Sequence, residues 1–214
     1  MIRFLLLALL ALLAADYAAF LTLDLLGAAA FLSCLLKFFG ILLCALLQPR
    51  RPEGWLTVGA DFFLLFFPAL SPVGILIFCA AHTFRLKGLT GQRRALWALP
   101  GAFLLFGLAL FFCDAETAAA LPYLLLLLSV AAAAFFSKNG RAILGALLFL
   151  GCDLCVLLVN RPFLPALLPA AEVGMWLFYL PSQVLLDLPP RKELSHADKP
   201  GMAHGTRPDR NLYP

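Results

Sequence analysis

Charged residues are scarce in this sequence, and it has no long polar domain. Only 13% of the 214 residues are Asp, Glu, Lys or Arg, whereas about 25% is usual in soluble domains. Hydrophobic residues make up 63% of the chain, and the mean hydropathy is +0.96. This shortage of charge excludes a water-soluble enzyme, a disordered chain and a nucleic-acid-binding protein, because each of these needs a largely polar surface. We therefore expect lipid, rather than water, to solvate most of the chain.

Residues that build metal centres and disulfide frameworks are also few or unsuitably placed. The chain has three histidines, and two of them, His196 and His204, lie in a polar C-terminal segment. Of the six cysteines, all but Cys113 lie well inside apolar runs, where we expect them to be small buried hydrophobic residues. Cys152 and Cys155 form a C-x-x-C pair, but no second pair accompanies it. The sequence therefore predicts no bound metal and no other cofactor.

Long apolar runs separated by polar breaks predict eight membrane-spanning helices. One crossing needs about 20 residues, so eight crossings use most of the chain. The first run is expected to be retained, because its apolar core is longer than that of a cleaved signal peptide. The predicted spans are 4–21, 26–47, 54–70, 72–86, 95–112, 118–136, 142–159 and 169–188.

These spans predict an all-α polytopic membrane helix bundle in residues 1–188. Residues 189–214 are polar and rich in proline, and they are predicted to form a disordered cytoplasmic tail. The protein is therefore expected to be an integral, multi-pass membrane protein, located in the cytoplasmic membrane if the source is a bacterium.

The distribution of basic residues predicts the orientation of the bundle. If the N-terminus and every second loop lie on one side, fourteen of the 16 Lys and Arg residues fall on that side. Cytoplasmic segments carry such an excess of basic residues, so both termini are predicted to be cytoplasmic. The residues on this side are Arg3, Arg50, Arg51, Arg85, Lys87, Arg93, Arg94, Lys138, Arg141, Arg191, Lys192, Lys199, Arg207 and Arg210.

A few ionisable residues lie deep within predicted spans, where a charge costs roughly 2.5–3.5 kcal/mol. Lys37 is near the middle of the second span, and Asp61 and Asp153 lie within the third and seventh. His82 is about one turn from the cytoplasmic end of the fourth span. A buried Lys–Asp pair that only locks helix packing is one explanation. It accounts for one aspartate, and the chain has two.

The two aspartates share a local pattern, and a pair of polar residues marks the last span. Asp61 and Asp153 are each the last residue of a G-x-D pattern. Each stands seven residues before a break, at Pro68 and Asn160 respectively. Each therefore lies about 11 Å from the end of its helix. This pattern suggests a parallel repeat of four spans per half. In the eighth span, the spacing of Tyr179 and Gln183 places both on one helix face.

Together these residues resemble the motifs of the YhhN-like integral membrane family, whose characterised members are lysoplasmalogenases. The resemblance extends over nearly all of residues 1–190, and motifs of six kinds occur in the expected order and spans. Phe38, Ala60 and Arg85 stand where the family usually has proline, glycine and tyrosine. The matching residues are Lys37, Thr57, Asp61, His82, Gly145, Phe149, Asp153, Tyr179 and Gln183.

The resemblance implies hydrolysis of the vinyl ether of a lysoplasmalogen, which gives a fatty aldehyde and a glycerophospho-base. Such an ether is cleaved when an acid protonates the carbon remote from oxygen and water traps the resulting cation. Asp61 and Asp153 would share the roles of acid and carboxylate, in either order. The substrate-binding residues implied for the lysophospholipid are Lys37, His82, Tyr179 and Gln183.

Two other classes of function fit the same residues. A transporter of lipids or small solutes could use the intramembrane Lys and Asp groups without any hydrolysis. A non-catalytic membrane scaffold could keep them only for helix packing. Release of aldehyde from a lysoplasmalogen distinguishes the hydrolase from both of these alternatives.

Overall fold

The structure, a computed structural model, describes residues 2–160 and 165–188. Within these ranges the chain forms eight α-helices and no strands, so the predicted all-α class is confirmed. The predicted tail at 189–214, with its two histidines, lies outside the described residues. The helices are α1 (Ile2–Leu25), α2 (Ala30–Leu47), α3 (Pro52–Phe66), α4 (Ser71–Thr90), α5 (Ala98–Ala109), α6 (Ala115–Phe136), α7 (Gly140–Asn160) and α8 (Leu168–Asp187).

These helices follow the eight apolar runs in number and order, but their lengths differ. Five segments are long and apolar enough to cross a membrane, as in an integral membrane protein. Helices α3 and α5 have 15 and 12 residues, fewer than the roughly 20 of a full crossing. The five segments are Phe4–Leu25, Ala30–Leu47, Pro68–Thr90, Ala115–Phe136 and Gly140–Asn160.

Local sequence signals explain where several of these helices begin and end. Pro52 opens α3, where its missing N–H costs nothing, and Pro68 follows the end of the same helix. Gly91 adopts a left-handed conformation (φ 67°) and ends α4. Asp114 caps α6, because its carboxylate accepts hydrogen bonds from the backbone N–H and the hydroxyl of Thr117. These bonds, the backbone one first, lower the pKa of the Asp114 carboxyl below its ordinary value.

Six helices form a ring, and two pack against its outside. Around the ring, α2, α3, α4, α6, α7 and α8 each pack against the next, and α8 closes on α2. Helix α1 packs against α2 and α8, and α5 packs against α4 and α6. Each packed pair recurs when both helix numbers are advanced by four, with α1 counted as following α8. For example, α3 packs on α4 as α7 packs on α8, and α4 packs on α6 as α8 packs on α2. The two outer helices, α1 and α5, are equivalent under the same shift.

The ring encloses the core, and apolar side chains cover much of its outside. Exposed Leu and Phe residues are numerous, such as Phe4, Phe111 and Phe136, as expected for a surface that faces lipid. The interior also holds polar groups that are completely buried, among them His82 and Gln183, each 0% exposed. The candidate site is therefore inside the ring.

Gly74 allows α4 to lie close to α3. A Cβ at this position would be 2.9 Å from the carbonyl oxygen of Ala60, which belongs to the backbone of α3. Because that carbonyl cannot rotate away, we expect Gly74→Ala to destabilise the detergent-solubilised protein by about 1–3 kcal/mol, as overpacking does. The thermal midpoint measures this. Gly107→Ala in α5 is the matched control, since no described atom beyond its own turn of helix lies within 4 Å of an added Cβ. Equal thermal midpoints for the two variants would contradict the close packing of α4 on α3 at Gly74.

Candidate functional site

Two rows of buried polar side chains face each other inside the ring. Within each row the residues are four apart, so they share one face of their helix. Every one of these residues is at most 7% exposed. The α3 row is Glu53, Thr57 and Asp61, and the α8 row is Asp187, Gln183 and Tyr179.

The two rows run in opposite directions. At the inner end, the Tyr179 hydroxyl donates a hydrogen bond of 2.5 Å to Oδ2 of Asp61. At the opposite end, where α3 begins and α8 ends, Oδ2 of Asp187 is 3.7 Å from the position that an added Cβ on Gly54 would occupy. Helices α3 and α8 are therefore antiparallel, and each residue of one row has a counterpart in the other.

Arg85 of α4 joins the two rows at their middle. Its Nη2 donates hydrogen bonds to Oε1 of Gln183, at 2.5 Å, and to the hydroxyl oxygen of Thr57, at 3.2 Å. The same nitrogen is 3.7 Å from a carboxylate oxygen of Asp187, and the guanidinium carbon is 5.8 Å from the ring centroid of Phe149. With only 5% of its surface exposed, Arg85 is a core residue. Its burial was not expected from a position one residue before the end of the predicted fourth span, but α4 continues beyond residue 86 to Thr90.

The second aspartate forms a similar pair on the other side of the ring. The Tyr123 hydroxyl of α6 donates a hydrogen bond of 2.6 Å to Oδ2 of Asp153 on α7. Tyr123 was not singled out from the sequence, although its hydroxyl stands in an apolar run and the residue directly follows Pro122 within α6. In the part of the chain that the structure describes, neither Asp61 nor Asp153 forms an ion pair. Each carboxyl group is held by a tyrosine instead.

A row of aromatic rings connects the two carboxyl–tyrosine pairs. The Tyr179 ring centroid is 5.6 Å from that of Phe149, which is 5.1 Å from the His82 ring. The His82 ring is in turn 5.3 Å from that of Tyr123. Neither nitrogen of His82 has a hydrogen-bond partner, although the residue is completely buried. This aromatic row, from Tyr179 to Tyr123, places His82 between the two acids.

Lys37 lies apart from both acids. Its Nζ is 2.8 Å from Oδ2 of Asp24, which also accepts a hydrogen bond from Ser33. The same ammonium lies 4.9 Å from the ring centroid of Trp176, whose ring packs edge-on against that of Tyr179. A pair between Lys37 and a deep aspartate was one expectation from the sequence. The structure pairs it with Asp24 at the end of α1, because a long lysine side chain can reach along its helix toward the nearest polar group.

A cavity of about 210 Å³ opens at the end of the two rows that is nearer the surface of the bundle, where α3 begins and where α4 and α8 end. Leucines of α8 form part of its wall. We call it the basic cavity, because arginines outnumber carboxylates among the described residues that line it. Arg85 belongs to both the cavity and the rows, so a continuous set of polar groups leads from the cavity to Asp61. The polar lining residues are Arg51, Glu53, Arg85, Asn139 and Arg141.

The described side chains offer acid–base groups and hydrogen bonds. Within residues 2–160 and 165–188, no group of three or more His, Cys, Asp or Glu side chains is placed to hold a metal ion. All six cysteines are free. Of the five that were expected to be buried, four are buried, whereas Cys34 is partly exposed. Comparison with known proteins finds no match to the chain among family models, curated proteins or solved structures.

Proposed function

We propose that the protein is a membrane-embedded hydrolase that cleaves the vinyl ether of lysoplasmalogens to a fatty aldehyde and a glycerophospho-base. The observation that carries the proposal is the pair of intramembrane carboxyl groups, Asp61 and Asp153. Each accepts a hydrogen bond from a tyrosine, and the aromatic row joins them. Buried carboxyl groups without ion pairs suit acid catalysis. The motif resemblance points to the same reaction.

Asp61 is the acid in this proposal, because it ends the polar rows that lead inward from the basic cavity. Its carboxyl group transfers a proton to the vinyl carbon remote from the ether oxygen, and the electrons of the C=C bond form the new C–H bond. Positive charge then develops on the ether oxygen and the carbon bonded to it. The Asp153 carboxylate and the faces of the aromatic row stabilise this charge.

Water completes the reaction. It attacks the cationic carbon and returns one proton to Asp61, which restores the acid and leaves a hemiacetal. The bond from this carbon to the former ether oxygen then breaks, and the hydroxyl proton of the hemiacetal passes to that oxygen. The products are an aldehyde and a free glycerol hydroxyl, so one water molecule is consumed for each ether cleaved.

The proposal includes a topology. All eight helices cross the membrane, both termini are cytoplasmic, and α1–α4 and α5–α8 form parallel repeats. Two features support this repeat: packed helix pairs recur four helices later, and Asp61 and Asp153 lie on the equivalent helices α3 and α7. The short helices α3 and α5 require the bilayer to thin locally around them.

The test is aldehyde release by the purified protein. A lysophospholipid with a 1-alkenyl chain is compared with one that carries a 1-alkyl chain of the same length. The saturated ether has no double bond to protonate, so we expect aldehyde only from the alkenyl lipid. Absence of aldehyde from alkenyl lipids with several head groups would overturn the proposal. Movement of intact lipid across a vesicle membrane would then favour the transporter.

Lys37 should have little influence on the reaction. We expect Lys37→Met to leave the rate of aldehyde release within about twofold of wild type, because its partly exposed pair with Asp24 is structural. Rates are compared at equal amounts of folded protein, with Asp24→Asn as the partner variant. A loss of more than about tenfold in folded Lys37→Met alone would place the ammonium in the reaction.

A further inference from the structure

The basic cavity has the composition of a site for an anion. Among the described residues, Arg51, Arg85 and Arg141 line it together with Glu53, whose Oε1 is 3.6 Å from Nη1 of Arg51. The Asp187 carboxylate, which pairs with Arg85, is not part of this lining. Asn139 adds a neutral polar group. Arginine is the residue that most often recognises phosphate, because its planar fork of donors matches the phosphate oxygens. At about 210 Å³ the cavity has room for several water molecules, and therefore for a phosphate ester.

Arg85 at the inner wall of this cavity has hydrogen-bonding capacity that the protein does not use. Only its Nη2 takes part in the bonds to Gln183 and Thr57. Its Nε and Nη1 have no partner, although the residue is 95% buried. Unpaired buried donors cost free energy, and those on a charged group cost the most. Both nitrogens are inaccessible to solvent in this structure, so an anion in the cavity would satisfy them after the guanidinium group turns toward it.

We propose that the basic cavity binds the phosphate of the lysophospholipid head group, and this inference rests on the proposed function. The ligand chemistry is a phosphate ester anion, and the lipid is its source. The leucines of α8 that line the cavity beside the arginines suit a group attached to a glycerol and an alkenyl chain. Arg85 and Arg51 then position the substrate, and neither takes part in the proton transfer.

The distance from the cavity to Asp61 fits this assignment. In a lysoplasmalogen, the path from phosphorus to the remote vinyl carbon has seven bonds, which span about 8 Å when extended at the advance per bond of an extended backbone. Gln183, which Arg85 holds, is one helical turn from Tyr179, or about 6 Å along the axis of α8. Tyr179 binds Asp61. The length of the substrate therefore matches the separation between a phosphate just outside Arg85 and the acid.

The experiment compares substrates with and without the phosphate. For Arg51→Gln we expect KM for an alkenyl lysophospholipid to rise about tenfold, the loss typical of one charged hydrogen bond, while kcat stays the same. KM for the alkenyl glycerol that lacks phosphate should not change. Arg51→Lys, which keeps the charge, should show a smaller increase. Arg93→Gln is the matched control, because Arg93 is exposed on the same predicted face and does not line the basic cavity.

A binding measurement separates this inference from the proposed function. The saturated alkyl lysophospholipid, which cannot be cleaved, should raise the thermal midpoint of wild type and Arg93→Gln but raise that of Arg51→Gln much less. That result supports the phosphate site even if no aldehyde is ever released. Equal stabilisation by the alkyl lysophospholipid and the phosphate-free alkyl glycerol would overturn it. The same stabilisation by inorganic phosphate alone would assign the cavity to free phosphate and overturn the lipid assignment.

Discussion

Asp61→Asn is expected to lower the rate of aldehyde release by about 10²–10⁴-fold, which is the range that a general acid contributes to the rate. Asparagine has nearly the same shape, and its amide oxygen can still accept the hydrogen bond from Tyr179. It has no carboxyl proton to transfer to the vinyl carbon. The change therefore removes the chemistry with little change to the packing. The rate is measured with an alkenyl lysophospholipid at equal amounts of folded protein.

Two further variants sharpen this result. Tyr179→Phe should cost only about tenfold, because it removes one hydrogen bond to the acid and leaves the proton in place. Asp16→Asn is the control for a buried carboxyl group outside the site, since Asp16 is 6% exposed and lies against Gly40. It should keep the wild-type rate. A wild-type rate in Asp61→Asn would remove Asp61 from the mechanism.

The second large effect concerns stability. We expect Arg85→Met to lower the free energy of unfolding by about 3–5 kcal/mol, because it leaves a buried carboxylate without its cation. Asp187 is 5% exposed, and Arg85 is its ion-pair partner. Gln183 and Thr57 lose their donor in the same variant. Denaturant or thermal unfolding in detergent measures the loss.

A double variant shows whether the isolated carboxylate causes that loss. In Arg85→Met/Asp187→Leu both charges are replaced by apolar side chains, and such replacements are often neutral. We therefore expect the double variant to regain most of the stability. If the double variant is less stable than Arg85→Met alone, the carboxylate is not the cause. Arg93→Met provides the surface control and should unfold like the wild type.

The helices could be predicted from the sequence because the information is local. An apolar run of sufficient length, bounded by Pro, Gly or charged residues, indicates a helix wherever it lies in the bundle. The shared face of Tyr179 and Gln183 follows from helix geometry alone. Asp61 stood out for the same reason, since one carboxyl group in a long apolar run is costly. The structure buries it to 4% exposure.

The partners of these residues depend on which helices adjoin, and local sequence does not contain that information. Tyr179 binds an aspartate 118 residues away, and Tyr123 binds one 30 residues away. The burial of Arg85 was not predicted, because a charge near the end of an apolar run is usually at the surface. A usable signal was nevertheless present: Thr57 and Glu53 precede Asp61 at intervals of four, as Asp187 and Gln183 follow Tyr179. Such rows indicate a polar interior face.

Hydrolysis in D₂O tests the central claim most directly. Protonation at the remote vinyl carbon places one deuterium on the carbon next to the aldehyde carbon, and immediate reduction to the alcohol preserves the label for mass spectrometry. We predict one deuterium at that carbon in product formed by wild type, and negligible product with Asp61→Asn. Aldehyde without deuterium at that position, or no aldehyde from folded wild type, would contradict the account.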